Sequence, residues 1–137
     1  TISIAMTAAE TGHLVISTLH TLGAVNTIDR IVDAFPPSQQ GQIRVQLSMV
    51  LQAVVSQQLI SCKMAGRSAF EIMLCNPAIR TMIRESKTHQ IDSAIFSSSG
   101  EGMVGMDTSL MRLYEQGMIS SEEALLHSAS PDLLKKE

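Results

Sequence analysis

A chain of 137 residues is of one-domain size, and its 45% hydrophobic and 17% charged composition excludes a disordered chain, as eight glycines exclude a collagen-like one. The net charge of −3, four basic against four acidic side chains over residues 1–76 and six against nine over 77–137, combines with 3% aromatics and no Trp to exclude a nucleic-acid binder. No apolar run approaches the ~20 residues of a bilayer span, and no basic start with an apolar stretch and a small-residue cleavage site marks a secretory leader.

The chain opens at Thr1 already in a helical pattern, which reads as the cut end of something larger. Residues 1–10 place Ile2, Met6 and Ala9 on one face, and Thr11-Gly12 stops that helix. Residues 13–19, HLVISTL, are apolar on both faces and lie between Gly12 and Gly23, the pattern of a buried strand in a parallel sheet. Residues 24–35 return to helical spacing through Ile28, Ile31, Val32 and Phe35, and Pro36-Pro37 ends them. Ser38 is the expected cap of a third helix carrying Ile43, Leu47, Val50, Leu51, Val54 and Val55. Residues 59–63 and 68–74 read as two strands joined by a turn at Ala65-Gly66-Arg67.

Asn76-Pro77 predicts a cap with proline at the first helical position, and a helix to about Ser86. Another helix covers 88–96, and 97–105 is a loop with three glycines. Asp107 is the expected cap of a helix bearing Leu110, Leu113 and Tyr114. Ser120 with Glu123 forms a capping box for the last helix, before Pro131 and a polar tail. Strands in the first half followed by helices alone predict an α/β sheet fragment with an appended helical subdomain.

Polar residues gather at the carboxyl end of the first predicted strand, where ligands bind in open α/β sheets: Thr18, His20 and Thr21. The helix that follows at Ala24 offers backbone N–H groups to an anion. The residues alone leave two readings of His20 open, a satisfied histidine at a strand end and a phosphate contact. His13, at the strand's other end, would lie about 23 Å away at ~3.3 Å per residue. The four histidines lack the close pairing of a metal site, so no metal is expected. Cys62 and Cys75, too few for a disulfide framework, read as reduced core residues of a cytosolic protein. The sequence contains no Gly-Lys dipeptide, hence no G-x-x-x-x-G-K-[ST] phosphate loop, and no G-x-S-x-G elbow.

Arg80, Arg84 and Lys87 recur at spacings of four and three along the helix opened by Pro77 and form a basic stripe, either a solvated face or a docking surface. Arg30 and Arg67 read as surface arginines or as groups reaching a neighbouring subunit. Met103, Met106, Met111 and Met118 read as flexible core filler or an adaptable docking surface.

Residues 8–21, AAETGHLVISTLHT, resemble the histidine box of the secretion ATPases of the type II and type IV pilus superfamily. Residues 27–36, TIDRIVDAFP, residues 48–59, SMVLQAVVSQQL, and Glu71-Ile72-Met73 look like its retraction branch, the twitching-motility pilus ATPases. Residues 77–85, PAIRTMIRE, are similar to the helix that marks the retraction motors, usually AIRNLIRE. Thr81 stands where Asn is usual, and Ile16-Ser17 where Gly often precedes Thr-Leu-His.

The resemblance implies the carboxyl-terminal half of a RecA-like, hexameric P-loop ATPase. Residues 1–76 would be a partial ATPase core and 77–137 a helical subdomain. The P-loop and the acidic strand end supporting Mg²⁺ precede the histidine box in this family, so this stretch alone is expected to bind neither ATP nor Mg²⁺ and to turn over no ATP. By resemblance His20 lies near the γ-phosphate, with Thr18, Thr21 and His13 on the same rim. Arg80, Arg84 and Lys87 would form a retraction-specific effector surface, and Arg80→Ala with Arg84→Ala would leave the fold intact. The implied partners are further copies of the chain and an inner-membrane pilus platform protein, and the implied location is the cytoplasm, peripheral at the inner membrane. The alternatives are a type II secretion or pilus assembly ATPase, against which the PAIRTMIRE helix argues, and a non-catalytic oligomerisation or docking module.

Overall fold

A computed structural model describes residues 1–62 and 66–130; Lys63 at the end of the expected strand 59–63, Ala65 of the expected turn, and the tail from Pro131 lie outside the described residues. Helix α1, Ile2–Glu10, turns Met6 inward. Helix α2, Ala24–Asp33, buries Ala24, Ile28 and Val32, one residue per turn along a single stripe. Helix α3, Pro37–Val50, buries Ile43 and Leu47. Its cap is Pro36, not Ser38. Pro37 takes the first helical position, where a missing N–H costs nothing, and Ser38 falls inside the first turn.

Leu51 turns extended at ψ 128°, and strand β1, Ala53–Ile60, begins two residues later. Val54 and Val55 therefore belong to the sheet and not to α3. Strand β2, Arg67–Leu74, returns antiparallel, with Ala53 opposite Leu74 and Ile60 opposite Arg67. Opposite residues share a face. Val54, Ser56, Ile60, Ala69, Glu71 and Met73 point inward, whereas Val55, Leu59, Phe70 and Leu74 remain exposed. The outer edge of β2 makes a single bridge, Ile72 to Val104.

The expected strand over 13–19 does not form. Among the described residues the sheet has two strands, β1 and β2, and a strand without a ladder partner is only extended chain. The segment is exposed throughout, with Leu14 and Ile16 at 88% and 86%. The parallel sheet is thus replaced, in what the structure describes, by an antiparallel pair.

Helix α4, Pro77–Arg84, starts as its sequence predicts: Asn76 Oδ1 accepts from the Ile79 N–H at 3.0 Å. A 3₁₀ turn, Thr88–Gln90, leads into helix α5, Ile91–Ser97, and a second, Ser99–Glu101, follows. Helix α6, Met106–Glu115, has Gly105 at its cap. Asp107, expected there, lies inside the helix, and its carboxylate accepts from the N–H groups of Ala129 and Ser130. Helix α7, Ser121–His127, is capped by Ser120, whose Oγ accepts from the Glu123 N–H at 3.2 Å.

Two apolar clusters result. The larger packs Ile28, Val32, Leu47, Met73, Ile79, Ile83, Ile91, Ile95 and Met103. The smaller joins Ile60 and Ala69 to Met106, Leu110, Ile119 and Ala124. A fully buried Ile or Met contributes about 1.5–3 kcal/mol, so the burial of Met73, Ile79 and Ile83 ties sheet and α4 together. Met103 and Met106 are buried filler, while Met111 and Met118 are half-buried.

Candidate functional site

The segment from Thr11 to Ala24 is held at its two ends. At the first, His13 Nδ1 lies 3.1 Å from Thr11 Oγ1 and 3.3 Å from the Ala8 carbonyl. Thr11 gives its own proton to Ala8 O at 2.9 Å, so His13 Nδ1 is the donor and its tautomer is set by the end of α1. His13 therefore serves the helix end, well away in sequence from His20.

At the second end, Thr27 Oγ1 donates to Gly23 O at 2.8 Å and lies 2.7 Å from Thr21 Oγ1. A hydroxyl has one proton, so Thr21 must be the donor of that pair, and in this arrangement its oxygen is left as an acceptor. Gly23 adopts φ +84°, a left-handed conformation costly for any residue with a side chain, and turns the chain into α2. The Gly23 N–H donates to Ser56 Oγ at 2.8 Å and the Ala24 N–H donates to Glu71 Oε1 at 2.6 Å. Two of the N–H groups expected to attract a phosphate are thus already taken, one of them by a carboxylate of the protein itself. Between these tethers Thr18 and His20 are exposed, and neither makes a hydrogen bond among the described residues.

Burial pushes the Glu71 carboxyl above its ordinary range. The Ala24 and Met106 N–H groups pull it down, and the charges of Asp92 and Asp107 push it further up. A carboxyl raised on folding binds protons more readily in the native state. Its contribution to stability therefore falls as pH climbs from the ordinary carboxylate range through the raised one, and is flat beyond.

The basic stripe divides. Arg80 turns onto the end of α3, where Nη1 donates to Ser48 O at 2.6 Å and to Met49 O at 3.0 Å, and Nη2 donates to Gln52 Oε1 at 3.1 Å. A guanidinium on the last carbonyls of a helix is a C-terminal cap. Arg80 thus has a task inside the fold, so its removal is expected to cost stability, where the Arg80/Arg84 pair was expected to leave the fold intact. Arg84 and Lys87 are exposed. Lys87 Nζ lies 2.7 Å from Glu85, and this hydrogen bond and charge hold the Glu85 carboxyl below its usual range. Arg30 and Arg67 are also exposed.

Three residues that the sequence gives no role in holding this region do hold it. Ser56 and Glu71 are the first two; the signal available for Glu71 was a lone acid between apolar neighbours in a strand, AFEIML. The third is Asp29, which accepts from Thr88 Oγ1 at 3.2 Å and pairs with Arg44 at 3.5 Å, tying α2 to α3 and to the turn after α4. Both cysteines are free, and burial pushes the Cys75 thiol up to about 11. Thiols react as thiolates, so Cys75 is expected to resist iodoacetamide at pH 8 in the native protein and to react after denaturation. Alkylation of native Cys75 would contradict this.

The first 124 residues match the Type II/IV secretion system protein family. The chain belongs to that family. It is 50% identical over 126 residues to a twitching motility protein of Neisseria gonorrhoeae, covering 90% of this chain and 34% of that one. It is 48% identical over 133 residues to the type IV pilus retraction ATPase PilT of Pseudomonas aeruginosa, covering 96% of this chain and 39% of that one. A crystal structure of the pilus retraction motor PilT with bound ADP superposes with a TM-score of 0.87 at 42% identity, over 99% of this chain and 38% of that one. The retraction branch read from the sequence is thus where its relatives lie, and the α/β fold class holds. The chain spans a little over a third of the length of these relatives. No helix among the described residues is long and apolar enough to cross a membrane.

Proposed function

We propose that this chain is part of an ATP-hydrolysing motor that drives type IV pilus retraction, and that Thr18 and His20 face the terminal phosphate of ATP. One observation carries the reading: His20 stands exposed on a segment tethered at both ends, in a family whose retraction members are ATPases. Thr18 and the imidazole can donate to phosphate oxygens, whereas Thr21 and His13 fix the ends of the rim. Residues 1–76 then supply part of the nucleotide site and 77–137 the helical part, and the 137 residues by themselves turn over no ATP. The motor assembles as a homo-hexamer in the cytoplasm, against a pilus platform protein of the inner membrane, with Arg30 and Arg67 available to a neighbouring subunit and Arg84 and Lys87 to the effector partner.

Diethylpyrocarbonate labelling of the intact protein tests the rim. ATP with Mg²⁺ is expected to slow modification of His20 by about tenfold, AMP to leave it unchanged, and His89, which is exposed on the turn after α4, to be indifferent to both. Equal labelling of His20 with and without ATP refutes the assignment.

A further inference from the structure

Two of the four buried polar residues among the described residues, Ser56 and Glu71, stand directly opposite each other across the β1–β2 ladder and point to the same inner face. They accept from consecutive backbone N–H groups, those of Gly23 and Ala24, at 2.8 and 2.6 Å. A strand pair thus grips the first turn of α2 at two adjacent points. Burying a carboxylate at an apolar sheet face is costly unless it is hydrogen-bonded, and the N-terminal N–H of a helix is the partner that best offsets the cost. The backbone N–H of Met106, at the start of α6, also favours the ionised Glu71 carboxyl.

Among the described residues, the backbone from Leu14 to His20 makes no hydrogen bond to the rest of the molecule. Its course is set by its tethers. His13 on α1 is the upstream one. The downstream one lies three to four residues beyond His20, at Gly23 and Ala24.

We propose that Glu71 is a positioning residue for the Thr18–His20 rim: by taking the Ala24 N–H beside Ser56, it sets where the rim enters α2 and so where the His20 imidazole stands. The proposal rests on the reading of that rim as phosphate-facing. It assigns Glu71 no contact with nucleotide.

The test uses the intact protein, with amide exchange of the peptide spanning residues 20–27 and steady-state ATPase kinetics as readouts. Glu71→Ala is expected to speed that exchange at least ~10-fold by releasing the helix start. It is also expected to lower kcat about 10-fold while KM for ATP moves less than about 2-fold, because a displaced group costs the chemical step more than ground-state binding. Glu71→Gln keeps a side-chain oxygen for the Ala24 N–H and is expected to restore both the protection and most of kcat. Unchanged exchange in Glu71→Ala overturns the proposal. So does a Glu71→Gln protein that keeps the protection yet turns over as slowly as Glu71→Ala, since the charge itself would then be what matters.

If Glu71→Ala loosens residues 20–27 without loss of kcat while His20→Ala slows turnover, the positioning role fails and the rim reading stands. If neither variant slows turnover, the rim reading is what fails. Should Glu71→Ala not fold, Ser56→Ala removes only the neighbouring acceptor; it is expected to loosen the same peptide and lower kcat about 3-fold, and no change in either overturns the proposal.

Discussion

His20→Ala in the intact protein is expected to lower kcat for ATP about 100-fold while thermal stability stays within about 0.5 kcal/mol of the parent. The two halves of that expectation have separate grounds. His20 is exposed and makes no hydrogen bond among the described residues, so its loss opens no cavity and strands no buried group. The catalytic half follows from preorganisation: a donor held where negative charge develops on the phosphate is worth several kcal/mol when it needs no reorganisation. The measurement is a phosphate-release assay beside a melting curve. Parent-like turnover removes His20 from the site, whereas a collapsed melting curve would mean that the side chain serves the fold.

Arg80→Ala is expected to cost about 2 kcal/mol in urea denaturation, because three hydrogen bonds from a charged guanidinium, two to the end of α3 and one to the Gln52 side chain, disappear together. Arg84→Ala and Lys87→Ala should each stay within about 0.5 kcal/mol. Among the described residues Arg84 donates only to Thr81 of its own helix, at 3.3 Å, and the Lys87–Glu85 pair is exposed. The consequence for motility is a cleaner experiment than one that includes Arg80. Cells carrying Arg84→Ala with Lys87→Ala should lose retraction with a normally folded motor, and normal twitching would refute the effector surface. Equal destabilisation by Arg80→Ala and Arg84→Ala would refute the division of the stripe.

Local signals were the legible ones. The Asn76-Pro77 start of α4, the Ser120 cap of α7 and the Gly23 entry to α2 are each decided within four residues, and the structure has all three. The boundary between α3 and β1 was not legible. Val50, Leu51, Val54 and Val55 fit a helical stripe, and only their pairing with β2 shows that the last two alternate across a sheet. Asp107 shows the same limit from the other side: a good capping residue drawn away by two distant N–H groups, those of Ala129 and Ser130. For 13–19 the apolar pattern predicts a strand that the structure does not form, because a strand is a property of a pair and not of a segment. For the proposed rim the sequence offers Thr18, His20 and Thr21 as candidates and nothing of what holds them. The residues that hold it, Ser56 and Glu71, lie 33 and 47 positions from the amides they bind, a separation that no spacing rule reaches.

The sheet has one further consequence. β1 pairs with β2 along one edge, the face bearing Val55, Leu59, Phe70 and Leu74 is exposed, and so are Leu14 and Ile16 on the unladdered stretch. Open ladder edges next to greasy surface are templates for intermolecular stacking. Overproduced by themselves, these 137 residues should collect in inclusion bodies, and a lysine at position 55 or 59 is the simplest way to keep them in solution.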